Sequence, residues 1–156
     1  MYPCNVAVDG RGNVLVHDGY MNGRIVVFRV SDGAYVRSMC SKGSGPGQLD
    51  GGGSIALDGE GYVAVADGGN IRVQVLRYSD GAHLRTIGSK GSGAGQFYCP
   101  RGVAFDGAGN IIVADSLNHL TSGAGFAIQR RPPRSNPWWQ RRQWKWAVQL
   151  SLRRCS

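Results

Sequence analysis

A repeat of about 48 residues constrains this chain more than any other feature of its sequence. Residues 31–34 return at 79–82, and the glycine-rich segment 41–49 returns at 89–97, each after 48 residues. The segment that begins at Val6 returns at Ile55 and again at Val103. Because a period of this length is typical of architectures that stack one supersecondary unit on the next, we expect the fold to consist of similar units.

Each unit has the pattern of four short strands separated by turns. In the second unit we expect strands at 55–57, 62–66, 72–76 and 83–87. The stretch 72–76 alternates polar and apolar side chains, as a half-buried strand does. Asp-Gly pairs between the strands tolerate the positive φ angles of tight turns.

Four short antiparallel strands per unit are typical of a propeller blade. A single four-stranded sheet cannot bury both of its faces, so blades stack on one another around a central channel. Two complete units and the first two strands of a third are too few to close such a ring. The predicted fold class is therefore all-β: an incomplete β-propeller of four-stranded antiparallel blades, with an irregular or disordered C-terminal tail.

Charge divides the chain near residue 120. Residues 1–120 contain ten Lys and Arg and ten Asp and Glu, whereas residues 121–156 contain eight Lys and Arg, no acidic residue and all four tryptophans. The tail therefore supplies the whole net charge of +8. We predict a partial propeller at 1–120, with repeats at about 3–51, 52–99 and an incomplete 100–120, followed by a basic Trp/Arg-rich tail at 121–156.

The tail has two interpretations. Apolar and polar residues alternate over 144–152, which favours a strand. Interleaved Trp and Arg side chains can stack on bases, contact phosphates or lie in an anionic membrane interface. Alternatively, the tail has no function and reflects a shifted reading frame or splice site. The sequence leaves both interpretations open.

Cysteine spacing and hydropathy narrow the class of protein. No stretch approaches the roughly 18 consecutive apolar residues of a membrane span, and the N-terminus has no secretory signal pattern. Cys4, Cys40, Cys99 and Cys155 form no Cys-x-x-Cys motif, so we interpret them as ordinary thiols of a reducing compartment. These features predict a cytoplasmic protein without a membrane span.

The third unit carries a family resemblance. Residues 100–120 read Pro-Arg-Gly-Val-Ala-Phe-Asp-Gly-Ala-Gly-Asn-Ile-Ile-Val-Ala-Asp-Ser-Leu-Asn-His-Leu. This sequence resembles an NHL repeat, which is named after the triplet found here at 118–120. Residues 65–75 carry a related pattern, and the first unit carries a looser one. The resemblance covers residues 3–120 and departs at Gly52, where the proline found at Pro3 and Pro100 is absent.

The resemblance implies a non-enzymatic protein-interaction module. It further implies a fragment of a larger propeller protein, such as an NHL protein associated with a ubiquitin ligase. A first alternative is an RNA-binding NHL module, although the neutrality of residues 1–120 weakens it, because nonspecific affinity for RNA comes from uncompensated cations. A second alternative is a fragment of a propeller lyase. That activity would need metal-holding histidines that converge, whereas His17, His83 and His119 occupy different positions in their units.

Basic residues at equivalent positions of the repeat suggest an interaction surface. The pairs Arg37 with Arg85 and Lys42 with Lys90 could align on one rim. The candidate surface comprises Arg37, Lys42, Arg85, Lys90, Asn118 and His119. Its expected partner is a protein, with RNA as the alternative, and the open blade faces could also support self-association.

Neither the repeated aspartates nor the glycine-rich segments require a cofactor. Aspartates recur after the first and second strands of each unit, and they could hold calcium or bond to nearby backbone NH groups. We expect the backbone role, because it explains a once-per-unit recurrence. Gly47 precedes Gln48 rather than the lysine of a P-loop, so we predict an inter-blade linker. We predict no catalytic, cofactor-binding or metal-binding residue.

Overall fold

The protein consists of β-sheets stacked in chain order. This computed structural model describes residues 2–117 and the backbone of two later strands, Gly125–Arg130 and Lys145–Ser151. Within these residues, three four-stranded antiparallel sheets alternate with two short parallel pairs. No described segment is a helix long and apolar enough to cross a membrane.

The strands fall into three blades and two linkers. Blade 1 contains β1 (Pro3–Val8), β2 (Asn13–Asp18), β3 (Arg24–Arg29) and β4 (Tyr35–Met39), and linker 1 contains β5 (Ser41–Lys42) and β6 (Gln48–Leu49). Blade 2 contains β7 (Ile55–Leu57), β8 (Tyr62–Asp67), β9 (Arg72–Arg77) and β10 (His83–Ile87), and linker 2 contains β11 (Ser89–Lys90) and β12 (Gln96–Phe97). Blade 3 contains β13 (Pro100–Phe105), β14 (Ile111–Asp115), β15 (Gly125–Arg130) and β16 (Lys145–Ser151).

The blades confirm the predicted fold class. All four strands expected in the second unit are present; β7 and β10 have the expected bounds, while β8 and β9 each extend one residue further. Each blade pairs its strands in chain order, and each linker forms a two-residue parallel pair. The chain is thus a partial β-propeller of four-stranded blades.

Blade 3 differs from the sequence expectation. The sequence suggested that no third strand follows β14, yet β15 pairs with the whole of β14, from Ile111 opposite Gln129 to Asp115 opposite Gly125. β16 then pairs with β15. This pairing satisfies backbone groups that would otherwise form an open edge. The sequence did not indicate β15, because its residues continue neither the repeat nor a regular alternation.

Two apolar cores hold the blades together. The first lies between blades 1 and 2 and the second between blades 2 and 3. The first contains Leu15, Ile25, Val27, Met39, Leu49, Ile55, Val63, Val65 and Leu76. The second contains Ala64, Val73, Val75, Ile87, Phe97, Ile111 and Val113. Because burying one such aliphatic side chain is worth about 1.5–3 kcal/mol, these interfaces supply most of the cohesion between blades.

Among residues 2–117, blade 1 has one sheet face that no residue of blade 2 covers. In blade 2 the equivalent face carries Ile55 and Val63 and packs on blade 1. In blade 1 the same repeat positions are Val6 and Val14, and along β1 both Val6 (61% exposed) and Val8 (69% exposed) point away from blade 2. We call this the open face of blade 1: Val6 and Val8 are exposed, Val14, Val16 and Phe28 are half-buried, and Val26, opposite Val16, is 3% exposed.

Candidate functional site

The two ends of the blades differ in chemistry. The linkers and the loops between second and third strands lie at one end, which we call the linker end; the tight turns lie at the other, the turn end.

Each turn after a first strand is closed by an aspartate. Asp9 Oδ1 accepts hydrogen bonds from the backbone N of Arg11 (2.7 Å) and Asn13 (2.9 Å). Asp58 and Asp106 accept the equivalent bonds, so the predicted backbone role is confirmed.

A second aspartate per blade secures the linker end. It stands at the end of the second strand and is buried in all three blades. The bonds run from Tyr2 N to Asp18 Oδ1 (2.6 Å), from Asp50 N to Asp67 Oδ1 (2.8 Å) and from Cys99 N to Asp115 Oδ1 (2.6 Å). Each carboxylate thus holds the segment that leads into a blade. Across residues 2–117, no group of three or more His, Cys, Asp or Glu side chains is placed to hold a metal ion.

In blade 2 this aspartate is the centre of a linker cradle, which comprises Asp67, Asn70, Arg72 and Gln74. Asp67 Oδ2 accepts bonds from Arg72 Nε (2.7 Å) and Gln74 Nε2 (3.0 Å). The cradle then donates to linker carbonyls: Asn70 Nδ2 to Gly43 O (2.9 Å), Arg72 Nη2 to Gly45 O (2.8 Å) and Gln48 O (2.9 Å), and Gln74 Nε2 to Gln48 O (2.5 Å). Linker 1 is therefore held mainly by the blade that follows it.

The glycine-rich linker is a closed turn. Gln48 Oε1 accepts the backbone NH of Gly45 at 2.9 Å, and Gln96 does the same for Gly93. Gly43 has a φ of 148°, and a Cβ atom there would collide with the Gln48 amide. The glutamine that follows the last glycine thus serves the linker itself, in agreement with the predicted inter-blade role.

The predicted basic residues do not share one rim. The Arg37 guanidinium donates to the backbone oxygens of Tyr78 and Ser79 and lies 4.7 Å from the centroid of the Tyr78 ring. It therefore connects blade 1 to the turn end of blade 2. Arg85 is half-buried in β10, and burial lowers the pKa of its guanidinium.

Lys42 and Lys90 lie at the opposite, linker end. Lys42 Nζ is 3.9 Å from Asp50 Oδ1 and 3.5 Å from Tyr20 O, and the side chains of both lysines are exposed. The structure thus separates the lysine pair from Arg37. Asn118 and His119 lie outside the described residues, so their role stays a prediction.

The two described histidines have separate structural roles. His17 is fully buried at the end of β2, and its Nδ1 lies 2.7 Å from Gly53 O, which ties blade 1 to the start of blade 2. Burial lowers the pKa of His17. His83 lies in β10, where its Nε2 is 3.0 Å from Thr86 Oγ1. These two histidines do not meet at a common site.

The linker end also carries a set of exposed apolar side chains that the sequence analysis missed. They belong to the segments before the first strand and to the loops after the second strand of blades 1 and 3. Tyr2, Tyr20, Met21, Tyr98 and Leu117 are 42–60% exposed, and we call them the linker-end surface. Their positions directly before Pro3 or Cys99, or within three residues after a second-strand aspartate, could have revealed them.

A family match coincides with the last linker and the third blade. Residues 97–120 match the family model described as an NHL repeat. This segment is an NHL repeat. It begins at Phe97 in the second apolar core and includes β13 and β14. Asp115, at the end of β14, accepts a backbone NH of the incoming segment, as the equivalent aspartates of the other blades do. No curated protein sequence matches the chain.

Solved structures share the fold of this NHL-containing chain. U3-55K matches with 13% identity and a TM-score of 0.67 over 97% of this chain and 39% of that chain. A chain of a nidogen/laminin complex matches with 17% identity and a TM-score of 0.64, and the match covers 96% of this chain and 50% of that chain. Hydrazine synthase from Kuenenia stuttgartiensis matches with 10% identity and a TM-score of 0.59, and the match covers 82% of this chain and 32% of that chain. The chain therefore spans half or less of these structures, and the first two share its propeller fold.

The NHL repeat adds a polar group to the linker-end surface. Arg101 Nε donates to Cys99 Sγ at 3.3 Å, and the Cys99 thiol and the Tyr20 side chain raise the pKa of Arg101. A loop of blade 1 thus reaches the first strand of blade 3. Ser116 and Arg101 in turn lower the pKa of the Cys99 thiol, against a smaller effect of burial. The Tyr20 side chain, the Arg101 guanidinium and the Cys99 thiol thus adjoin at this end of the molecule.

Proposed function

We propose that this β-propeller module is non-catalytic and binds a protein partner at its linker end. The observation that carries the proposal is the linker-end surface, whose exposed Tyr, Met and Leu side chains come from blades 1 and 3. Aromatic residues, Met and Arg are enriched at the cores of protein–protein interfaces, and contiguous exposed apolar side chains on a protein surface commonly mark such sites.

Charge favours a protein over RNA as the partner. The acids and bases of residues 1–120 balance, and Lys42 is offset by Asp50. Sequence-independent binding to nucleic acid needs several uncompensated cations. The resemblance to NHL proteins associated with ubiquitin ligases makes a role within a larger propeller protein a further proposal, and the free thiols of Cys4, Cys40 and Cys99 support a cytoplasmic location.

The test compares two exposed tyrosines at opposite ends of blade 1. A photo-crosslinking residue replaces either Tyr20 or Tyr35 in the full chain, and cross-linked proteins are identified from cell extract. We expect one protein to be captured through position 20 but not through position 35. The paired change of Met21→Ser with Tyr98→Ser should abolish that capture, whereas Tyr35→Ser should not.

A second measurement distinguishes RNA from protein. Binding of a single-stranded RNA oligonucleotide is measured at two salt concentrations, with Lys42→Glu and Lys90→Glu variants. Tight, salt-sensitive binding that both lysine changes weaken, without specific protein capture at position 20, would contradict the proposal and support the RNA alternative.

A further inference from the structure

Two neighbouring residues of blade 1 depart from the repeat. His17 stands where the other two blades have alanine, and Cys4 stands where they have glycine and arginine. Blades 2 and 3 form four-stranded sheets with those other residues. Neither the imidazole nor the thiol is therefore needed to build a blade, and both call for another explanation.

A β-bulge places the Cys4 thiol against His17. Pro3 pairs with Asp18 and Asn5 pairs with His17, so Cys4 is the extra residue of an irregularity in β1. Its Sγ donates to the backbone oxygen of His17 at 3.2 Å. Bulges turn a side chain in a new direction and are common next to functional sites.

The second ring nitrogen of His17 carries a free lone pair. Nδ1 lies 2.7 Å from Gly53 O, and because a carbonyl group only accepts, Nδ1 holds the proton. Burial lowers the pKa of His17, which keeps the ring neutral. Nε2 is buried and has no hydrogen-bond partner among the residues that the structure describes. Since an unpaired buried acceptor is unfavourable, Nε2 is a position that favours a ligand.

The thiol and this nitrogen border one small space between glycines. A Cβ atom on Gly19 would lie 3.0 Å from His17 Nε2 and 3.1 Å from Cys4 Sγ, so both atoms face the same place. A Cβ atom on Gly52 would lie 3.2 Å from Cys4 Sγ and 3.0 Å from Cε2 of Tyr20. Glycine at these two positions thus keeps side chains out of the space. Cys4 is partly exposed and Tyr20 is 56% exposed, so the space lies close to the surface.

We infer that Cys4 Sγ and His17 Nε2 bind a single soft metal ion, Cu(I). Thiolate and imidazole groups are ligands that suit copper. Cu(I) accepts low coordination numbers, whereas zinc in protein sites is almost always four-coordinate. The bond from Nδ1 to Gly53 O is the second contact that usually orients a metal-binding histidine. Binding converts the Cys4 thiol into a thiolate and releases its proton to solvent.

The site is compatible with the earlier findings on metals and partners. It uses two side chains, whereas the groups that are absent from residues 2–117 contain three or more. An interpretation of His17 as an inter-blade contact explains the bond from Nδ1 but neither the free Nε2 nor the bulge at Cys4. The inference does not rest on the proposed function, because the free chain would bind the ion without a protein partner.

The first experiment measures Cu(I) transfer to the full chain. Cys99 and Cys155 are replaced by serine, since these thiols could bind copper elsewhere. Cu(I) is supplied without oxygen from a coloured chelator complex, and its transfer is followed by absorbance. We expect one equivalent per chain in the background that retains Cys4 and His17.

Two substitutions in this background then test the ligands. His17→Ala installs the residue of the other blades, and Cys4→Ser keeps the shape of the side chain. Each should weaken Cu(I) binding at least about tenfold, whereas His83→Ala, the matched control, should leave it unchanged. Absence of transfer, or transfer that either ligand substitution leaves unchanged, would overturn the inference.

A second measurement does not depend on the folding of a variant. Nuclear magnetic resonance spectra of the isotope-labelled chain report both ring nitrogens of each histidine. One equivalent of Cu(I) should shift the Nε2 resonance of His17 and leave the ring of His83 unchanged. An unshifted His17 Nε2 would overturn the inference. One equivalent of Zn(II) should have a smaller effect on this resonance, and a larger effect would contradict the assignment to copper.

Discussion

The ring of Phe97 occupies the space that a Cβ atom on Gly88 would need. Gly88 also has a φ of 82°, in the left-handed region that side chains disfavour. One linker earlier, Cys40 adopts a φ of 68° at the equivalent position, and the residue equivalent to Phe97 is the smaller Leu49. The residue just before a linker and the residue at its end are thus coupled: the large Phe97 requires glycine at position 88, whereas the smaller Leu49 is found with Cys40.

Gly88→Ala should destabilise the protein strongly. The change combines a strained φ with overlap against a fully buried ring, so we expect a loss of about 2–4 kcal/mol in the free energy of unfolding. Urea denaturation would measure it. Gly107→Ala is the control, because a Cβ there would meet nothing within 4 Å; a comparable loss in both variants would contradict the explanation.

The same coupling predicts a rescue. Gly88→Cys alone should destabilise as Gly88→Ala does, whereas Gly88→Cys combined with Phe97→Leu recreates the Cys40 and Leu49 pair of linker 1. We expect the double variant to be more stable than the sum of the two single changes by about 1–2 kcal/mol. A double-mutant cycle in urea measures this coupling, and strict additivity would argue against it.

Asp67 should be far more important for stability than an exposed aspartate. It is fully buried and accepts bonds from Asp50, Asn70, Arg72 and Gln74. Asp67→Ala leaves these donors without their acceptor, so we expect a loss of about 3–5 kcal/mol. Asp80→Ala, which removes a surface ion pair with Arg77, should cost less than about 1 kcal/mol. Thermal unfolding of both variants would reveal the difference.

The fold was predictable where the repeat and local chemistry agree. The 48-residue period, the alternation at 72–76 and the Asp-Gly turns together predicted blades 1 and 2. β15 was not predictable, because its pairing with β14 depends on backbone groups rather than on a repeated sequence.

The candidate site was less predictable than the fold. Repeat symmetry makes Arg37 equivalent to Arg85 and Lys42 equivalent to Lys90. It does not determine the direction in which these side chains point. Arg37 instead reaches the turn end of blade 2, where Tyr78 provides both a ring and a carbonyl group. Tyr20 and Met21 follow the second-strand aspartate Asp18 within three residues, a position whose exposure the sequence analysis did not consider.

The bond from the Tyr78 hydroxyl to Asp9 Oδ2 (2.8 Å) should make stability depend on pH at both extremes. Burial and this bond raise the pKa of Tyr78 above its usual value. Its stabilising contribution is therefore complete below about pH 10 and is lost as the pH rises through the raised value. The pKa of Asp9 is lowered, because bonds from Asn13 and Tyr78 outweigh burial, so its contribution is present above about pH 4 and is lost as the pH falls.

Tyr78→Phe should flatten both limbs of this profile. The alkaline loss disappears with the hydroxyl, and the acid loss becomes shallower because Asp9 keeps only its other bonds. The measurement is the free energy of unfolding of wild type and variant between pH 2 and 11, and parallel curves would be inconsistent with the assignment.

The cysteines should differ in reactivity. The thiolate is the reactive form, and Cys99 is half-exposed with a lowered pKa, whereas burial raises the pKa of Cys40 to about 12. We expect iodoacetamide at pH 7.5 to alkylate Cys99 at least about tenfold faster than Cys40. Peptide mapping by mass spectrometry measures both rates. Arg101→Ala should slow alkylation of Cys99 and leave that of Cys40 unchanged.

Asn70, Arg72 and Gln74 of blade 2 bind linker 1. A sequence repeat ends with its linker, whereas in the structure that linker is held by the next blade. As the chain leaves the ribosome, residues 43–48 emerge before the side chains that bind them. Linker 1 can therefore be bound by blade 2 only after Gln74 of β9 has been synthesised, so blades 1 and 2 join in the order of the chain.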